Sequence, residues 1–435
     1  MGHRQKRPRN ALKIPAHSRE KHRKDGMSVE KLKGEIIAAI DAASGDLKKL
    51  ALDIHDNPEL GWHEFKAAEF IRAFLEKRGF AVQSAYKDIP TSFRADCAGR
   101  PGGPRVAFLA EYDALNGVGH GCGHNLIAAC SVGAFLGLAS VIKELQGSVC
   151  LIGTPAEEGG SGKVKLLKRG AFDDVDFAMM MHPSSGGKSA NIVGRGGRAA
   201  VGMSVEFHGK AAHSSVPKNG INALSALISL FNQIDVMRPT FEPQDNVNGI
   251  ITCGGTAANI IPEYAAASFC LRADTMSRVM ELMELVKGCA ANSEKLTGAK
   301  AAILSEEVSA ERYPNRPMNE AFKDNMELLG IEMNWPDPKK PCGSSDIGNV
   351  SIKLPVIHDY LSITDDETVQ AHSKEFAAAA RTPGALEVCL KGAQGLAMTG
   401  CDILMRPKLQ HESVDYHRAQ IPECYQGGEP VSPLD

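Results

Sequence analysis

Thiol, imidazole and carboxylate groups crowd two short stretches of this chain. The first runs from Glu111-Tyr-Asp-Ala-Leu to His120-Gly-Cys-Gly-His124-Asn125, and the second is Gly153-Thr-Pro-Ala-Glu157-Glu158-Gly. Together such groups can hold divalent metal and activate a water. Cys122 and His124 offer two soft-to-borderline ligands on a glycine turn that enters a helix. Glu157 and Glu158 follow a strand and precede Gly-Gly-Ser-Gly, which puts both carboxylates on an irregular loop, and His182-Pro183 ends a further strand. Adjacent glutamates need not share a role. One can ligate metal while the other, unligated, takes a proton from the water and hands it to a leaving amine. Each residue alone has a plainer reading: His182 as a satisfied strand histidine, the Glu pair as a solvated helix face, Cys122 as packing. Their conjunction favours the metal.

The elements that must position these groups follow from short apolar runs. Segments 105–110, 147–153 and 175–182 each end abruptly in polar or turn residues, as buried strands of a parallel sheet do. Between the first two lies the Ala-rich stretch 125–145, helical in composition. This alternation puts Asp113, Glu157, Glu158 and His182 at the carboxyl ends of strands, where open α/β sheets carry their sites. Residues 28–82 read as two helices with Asn57-Pro-Glu-Leu-Gly-Trp-His between them. Beyond the hinge-like Gly194-Arg-Gly-Gly197 the rhythm changes to strand, helix, strand, strand, helix, strand over 199–305, a split βαβ unit. From about 310 longer helices return, with a strand near Val356. The expected fold is therefore two-domain α/β, with a ferredoxin-like (βαββαβ) unit inserted into a larger α/β domain. The expected boundaries are a basic disordered leader over 1–26, a first segment of the larger domain over 27–196, the inserted unit over 197–308, a second segment of the larger domain over 309–425, and a tail over 426–435.

Composition narrows the function classes. Apolar residues make up 43%, enough for a substantial core, and the formal charge of −3 gives no electrostatic case for nucleic acid. Residues 1–26 carry nine Lys or Arg against Glu20 and Asp25 but lack the apolar core of a secretory signal. No run is read as long enough to span a bilayer. The eleven cysteines are odd in number and sit mostly in apolar segments, which suits reduced thiols in a cytoplasmic protein.

These motifs resemble the M20 metallopeptidase and amidohydrolase family, in its amidohydrolase branch, subfamily D. Within that branch they are most similar to the aminobenzoyl-glutamate hydrolase subunits and to the peptidase M20 domain-containing protein 2 group of β-alanyl-lysine dipeptidases. The resemblance spans about residues 35–410. It rests on Asn57-Pro-Glu-Leu-Gly, Glu111-Tyr-Asp-Ala-Leu, Gly119-His-Gly-Cys-Gly-His-Asn and Gly153-Thr-Pro-Ala-Glu-Glu-Gly-Gly-Ser-Gly-Lys, then on Met181-His-Pro, Gly209-Lys-Ala-Ala-His-Ser, Asn259-Ile-Ile-Pro and Ser345-Asp-Ile-Gly-Asn-Val-Ser. It implies that Cys122, His124, Glu158, His182 and a late histidine hold two divalent ions, zinc first and manganese or cobalt as substitutes, with Glu157 as general base. His372 is chosen as the late ligand over its rival His358. It further implies a zinc-peptidase-like catalytic domain with the inserted unit, 197–308, as its dimerisation or lid domain, on which His213 reaches a neighbouring subunit's site and polarises the scissile carbonyl. Asn259, Arg272, Ser344 and Ser345 then face the substrate, with Arg272 able to fork onto a carboxylate. Asn125 and Glu111 each stand where Asp is usual in the branch, substitutions that recur in the two groups named.

The expected activity is hydrolysis of an amide in a small N-acyl amino acid or dipeptide, by a metal-activated water with Glu157 as base. The expected assembly is a homodimer through the lid, with a second related subunit as a further partner and closure about Gly194–Gly197 gating access. A cysteine hydrolase built on Cys122 with His124 or His120 competes, but leaves the Glu pair without a task. A silent binding subunit on the same scaffold has no need of an unligated base.

Overall fold

The computed structural model describes residues 28–340 and 342–425, so the leader expected over 1–26 and the tail over 426–435 lie outside the described residues. Ser28 opens α1 (Val29–Ala42), its hydroxyl accepting the Lys31 amide. Leu32, Ile36 and Ile40 face inward from α1, and Leu47, Leu50, Ala51 and Ile54 continue the stripe on α2 (Ser44–His55). The apolar spacing runs unbroken across the joint, so the sequence reads as one helix where two form. The break falls at Ala43, whose amide still bonds the Ala39 carbonyl but whose φ of −92° and ψ of −1° leave the helix, beside the weak helix formers Ser44 and Gly45. With α3 (Phe65–Glu76) the segment holds three helices, not the expected two.

The larger sheet is then laid down by β1 (Val82–Ser84), β2 (Phe93–Ala98), β3 (Arg100–Ala110), α4 (His124–Val141), β4 (Gln146–Gly153), α5 (Glu157–Gly160), α6 (Gly162–Lys168) and β5 (Phe177–Ser184). An inserted unit follows: β6 (Ala199–His208), β7 (Ala212–His213), α7 (Ala223–Met237), β8 (Asn246–Cys253), β9 (Ile260–Ile261), β10 (Tyr264–Ala273), α8 (Met276–Thr297) and β11 (Lys300–Ser305). The chain returns through α9 (Arg316–Leu328), α10 (Ile347–Lys353), β12 (Val356–Ser362), α11 (Lys374–Ala379), α12 (Pro383–Met405) and α13 (Pro407–Gln420).

The larger sheet has the order β1-β2-β4-β3-β5-β12. Its four strands β4, β3, β5 and β12 are parallel, as expected of the three runs 105–110, 147–153 and 175–182, while β2 pairs antiparallel with both β1 and β4, so the sheet as a whole is mixed. The short 85–92 connection allows only a hairpin between β1 and β2, and Gly99 alone separates β2 from β3, so β2 runs against β3 and hence against its neighbour β4. Helix α4 is buried on nearly every side by α12, α1, α2 and β3. The stretch His124–Glu144 is apolar and long enough to cross a bilayer, which corrects the expectation that no run is; 89% of its apolar window lies buried inside the protein. Such a composition marks a central core helix as readily as a membrane span.

The inserted sheet, β11-β6-β10-β8, is antiparallel throughout. Ala199, Val201, Met203, Val205 and Phe207 alternate into a core shared with α7 and α8. Strands β7 and β9 form a separate two-stranded arm. The two crossings between units lie side by side, bridged at Gly197–Arg312 and Ala200–Ser309.

Candidate metal centre

Cys122 and His124 flank Gly123, which caps α4 with φ 76°. A Cβ on Gly123 would stand 2.8 Å from the Pro183 side chain, so this approach of the thiol turn to β5 requires glycine. His124 is the first residue of α4 and is wholly buried. Its Nδ1 bonds Asp113 Oδ1 at 3.0 Å, and its Nε2 faces Glu111, Glu158 and Glu157 at 3.5, 3.8 and 4.0 Å. His182 bonds the Pro183 carbonyl through Nδ1 at 2.7 Å, which turns its Nε2 to Cys122 Sγ at 3.4 Å. In both histidines one nitrogen is committed and the other is presented to the site.

Glu157 and Glu158 open the short helix α5, which keeps much of the expected irregularity: it directly follows Ala156 in the left-handed region and departs from helical geometry at Gly159. Asp113 Oδ2 accepts the Glu158 amide at 2.9 Å, so one carboxylate steadies both His124 and Glu158. His372, with its own φ at 66°, donates its amide to the Gly121 carbonyl and sets Nε2 3.4 Å from Glu158 Oε1. The ligand atoms of Cys122, His124 and His182 thus gather within 4.8 Å, as do those of Cys122, Glu158 and His372, and those of His124, Glu157 and Glu158. His358 joins none of these groups. Its ring is 5.4 Å from that of His182, but the Arg312 guanidinium occupies its Nδ1, where a second cation would be repelled.

These residues fit a cation. His124 Nε2, Glu158 Oε1 and Glu111 Oε2 are buried with no hydrogen-bond partner among the described residues. Burial pushes Glu158 up to about 7, with Glu157 adding repulsion, and burial and Glu111 push Glu157 up as well. Burial opposes charge on His124, yet Asp113 pushes it well upward. Too much negative charge is packed here for the protein's own cations to balance, which is the demand a divalent ion meets. Burial pushes the Cys122 thiol up, and a bound cation is what would favour its thiolate.

Lys163 was not singled out for chemistry in the sequence. Fully buried on α6, it donates Nζ to Glu111 Oε1 at 2.5 Å and to Asp346 Oδ1 at 2.6 Å, and its amide to Asp346 Oδ2 at 2.8 Å. The carboxylates of Glu111, Glu157 and Asp346 form a fourth cluster, in which this ammonium already serves as the cation. The only sequence signals were the Lys ending Gly-Gly-Ser-Gly-Lys and the Asp after Ser344-Ser345.

The residues of the inserted unit stand apart. His213 and Asn259 sit on the exposed β7–β9 arm, joined by the Ser214 amide on the Asn259 carbonyl at 3.0 Å, and neither belongs to the groups around Cys122. Arg272, on β10, reaches the larger unit and donates to Ser344 Oγ at 2.9 Å. Its charge is felt at His372, whose proton affinity burial lowers first and Arg272 lowers further. The Ser345 hydroxyl is buried with no partner among the described residues.

Fold and sequence place the chain in a known family. Residues 195–296 match the model of the peptidase dimerisation domain. The chain is 36% identical over 401 residues to the Xaa-Arg dipeptidase of Mus musculus, covering 88% of this chain and 91% of that one. The chain belongs to the M20 family of metallopeptidases and amidohydrolases, and it is a metal-dependent amidohydrolase. It is also 29% identical to a p-aminobenzoyl-glutamate hydrolase subunit of Escherichia coli, over 67% of this chain and 64% of that one. The crystal structure of a dinuclear metal-binding peptidase of the M20 family from Bacillus subtilis shares the fold, with a TM-score of 0.60 at 21% identity over 84% of this chain and 99% of that one.

Proposed function

We propose that this enzyme cleaves dipeptides or N-acyl amino acids that end in a free carboxylate, with a basic residue such as arginine on the leaving side. The observation that carries the proposal is the gathering of Cys122, His124, Glu158, His182 and His372 in overlapping clusters, with Glu157 beside His124 and Glu158. The leaving-side preference follows the Xaa-Arg dipeptidase of Mus musculus, which is similar along nearly its whole length.

In this reading the five ligands hold two divalent ions, zinc by preference because a thiol is among them. When bound, such a pair polarises a water and offsets charge that develops on the scissile carbonyl. Glu157 accepts the proton of the attacking water and returns it to the departing amine. Asp113 keeps His124 and Glu158 in place through the cycle. Arg272 exchanges its bond with Ser344 for the substrate carboxylate, a bidentate partner that a hydroxyl cannot match. His213 and Asn259, displayed on an exposed arm away from their own centre, serve the site of a second copy in a homodimer formed through the inserted unit. The paired crossing at Gly197–Arg312 supports closure of the inserted unit over the substrate.

Amine release from a panel of C-terminal Arg and Lys dipeptides, aminobenzoyl-glutamate and N-acyl amino acids tests this, wild type beside Glu157→Gln with metal supplied. Release from basic dipeptides by the wild type alone is the expected result. Turnover in Glu157→Gln would overturn the role of Glu157, and a preference for aminobenzoyl-glutamate would overturn the substrate assignment.

A further inference from the structure

The segment Asn57–Glu64 carries one of the chain's most distinctive motifs, yet none of its residues enters the chemistry above. Glu64 occupies the cap position of α3, where a polar side chain ordinarily accepts the first helix amides. It makes no such bond. Glu59 Oε2 takes the amides of Lys66 and Ala67 instead, at 2.8 and 3.1 Å. Glu64 turns inward, is wholly buried, and accepts the Ala156 amide on Oε1 at 2.7 Å. Ala156 is the left-handed residue, φ 56° and ψ 46°, that immediately precedes Glu157 and Glu158.

An L residue holds that conformation only under restraint from its surroundings. The restraint is visible: a Cβ on Gly61 would lie 2.9 Å from Ala156 Cβ, so the same segment closes over the turn from a second side. The Glu59 carbonyl also accepts the Ala114 amide at 2.8 Å, next to Asp113. One segment thereby grips both loops that carry the centre. A carboxyl removed from water beside the buried Asp113, with no benefit to its own helix, is costly unless its contact has another use.

We propose that Glu64 is a positioning residue whose carboxyl holds the Ala156 amide, and so fixes the left-handed turn that aims Glu157 and Glu158 into the site. The proposal rests on the reading of Glu157 as base and Glu158 as ligand. Glu64→Ala, Glu64→Asp and Glu64→Gln would be compared with wild type and Glu157→Gln in two ways. Steady-state kinetics, expressed per metal-loaded site, should show kcat in Glu64→Ala down ~10–100-fold with KM within about twofold, as for a misaimed group. Gln keeps an acceptor oxygen at full reach and should restore at least half of kcat, whereas Asp falls short and should not. Hydrogen exchange on the metal-free protein, read on peptides spanning 150–160, should be faster in Glu64→Ala and Glu64→Asp and unchanged in Glu64→Gln. Wild-type kcat and exchange in Glu64→Ala would overturn the proposal, as would equal impairment of Gln and Ala. If Glu64→Ala does not fold, Glu64→Asp decides by the same two readings. Exchange is measured without substrate, so it stands even where an active Glu157→Gln sinks the assignment of the base.

Discussion

Asp113 and His124 share a hydrogen bond of 3.0 Å in a setting closed to solvent, and that bond decides which imidazole nitrogen is offered to the site. Burial would raise the Asp113 carboxyl, but His124 holds it below its ordinary range, so it stays a charged acceptor. In Asp113→Asn the side-chain amide can donate to Nδ1 and favour the wrong tautomer, and it gives the Glu158 amide a poorer acceptor. Metal affinity should fall ~10–100-fold, as titration against a competing chelator would show.

His372 and His358 should separate cleanly. His372→Ala removes a group 3.4 Å from Glu158 and should lower the metal bound per chain while leaving the melting temperature of the metal-free protein nearly unchanged. His358→Ala strips Arg312 of a buried partner and should do the reverse. Metal analysis of the dialysed proteins, paired with thermal melts, reads both.

Lys163→Met leaves Glu111 and Asp346 buried without their cation. Removing one partner of a buried ion pair costs about 3–5 kcal/mol. Urea denaturation of the metal-free protein should show a loss of that size, and adding Glu111→Gln and Asp346→Asn should recover part of it.

Glu64 also predicts a pH dependence. Burial, with repulsion from Asp113, raises its carboxyl from 4.5 to about 7. Between those values the folded chain keeps a proton that the unfolded chain releases, so this residue's contribution to stability falls as pH rises through the window. The shift corresponds to about 3 kcal/mol. Glu64→Gln, fixed in the neutral form, should therefore gain on wild type as pH goes from 5 to 7.5, measured by urea unfolding at both. An unchanged difference between the two proteins would refute the shift.

The groups that gather around Cys122 were legible because chemistry restricts residue type. Few structural roles ask for Cys, His and paired Glu at the ends of apolar strands, and Cys122, His124, Glu158 and His182 stand out for that reason. The strands and helices of the inserted unit were legible through periodicity, with β6 alternating along its whole length. What stayed hidden depends on long-range pairing. Lys163 meets Asp346 across 183 residues and Glu64 meets Ala156 across 92, contacts that no local pattern encodes. Ala43 breaks a helix without disturbing its apolar stripe, so a change of axis left no mark in the residue types. The direction of β2 depended on the shortness of a turn, which periodicity does not see.

The paired crossing at Gly197–Arg312 has a consequence for how such a chain can be assembled over evolutionary time. The inserted unit leaves and re-enters at neighbouring points, with Arg312 tied to the Arg195 and Gly196 carbonyls. Units whose ends meet can be gained, lost or exchanged without rethreading the host. The larger sheet closes its own path from β5 to β12 whatever is spliced between them. A chain built this way can change its inserted unit by recombination while the residues clustered around Cys122 stay where they are.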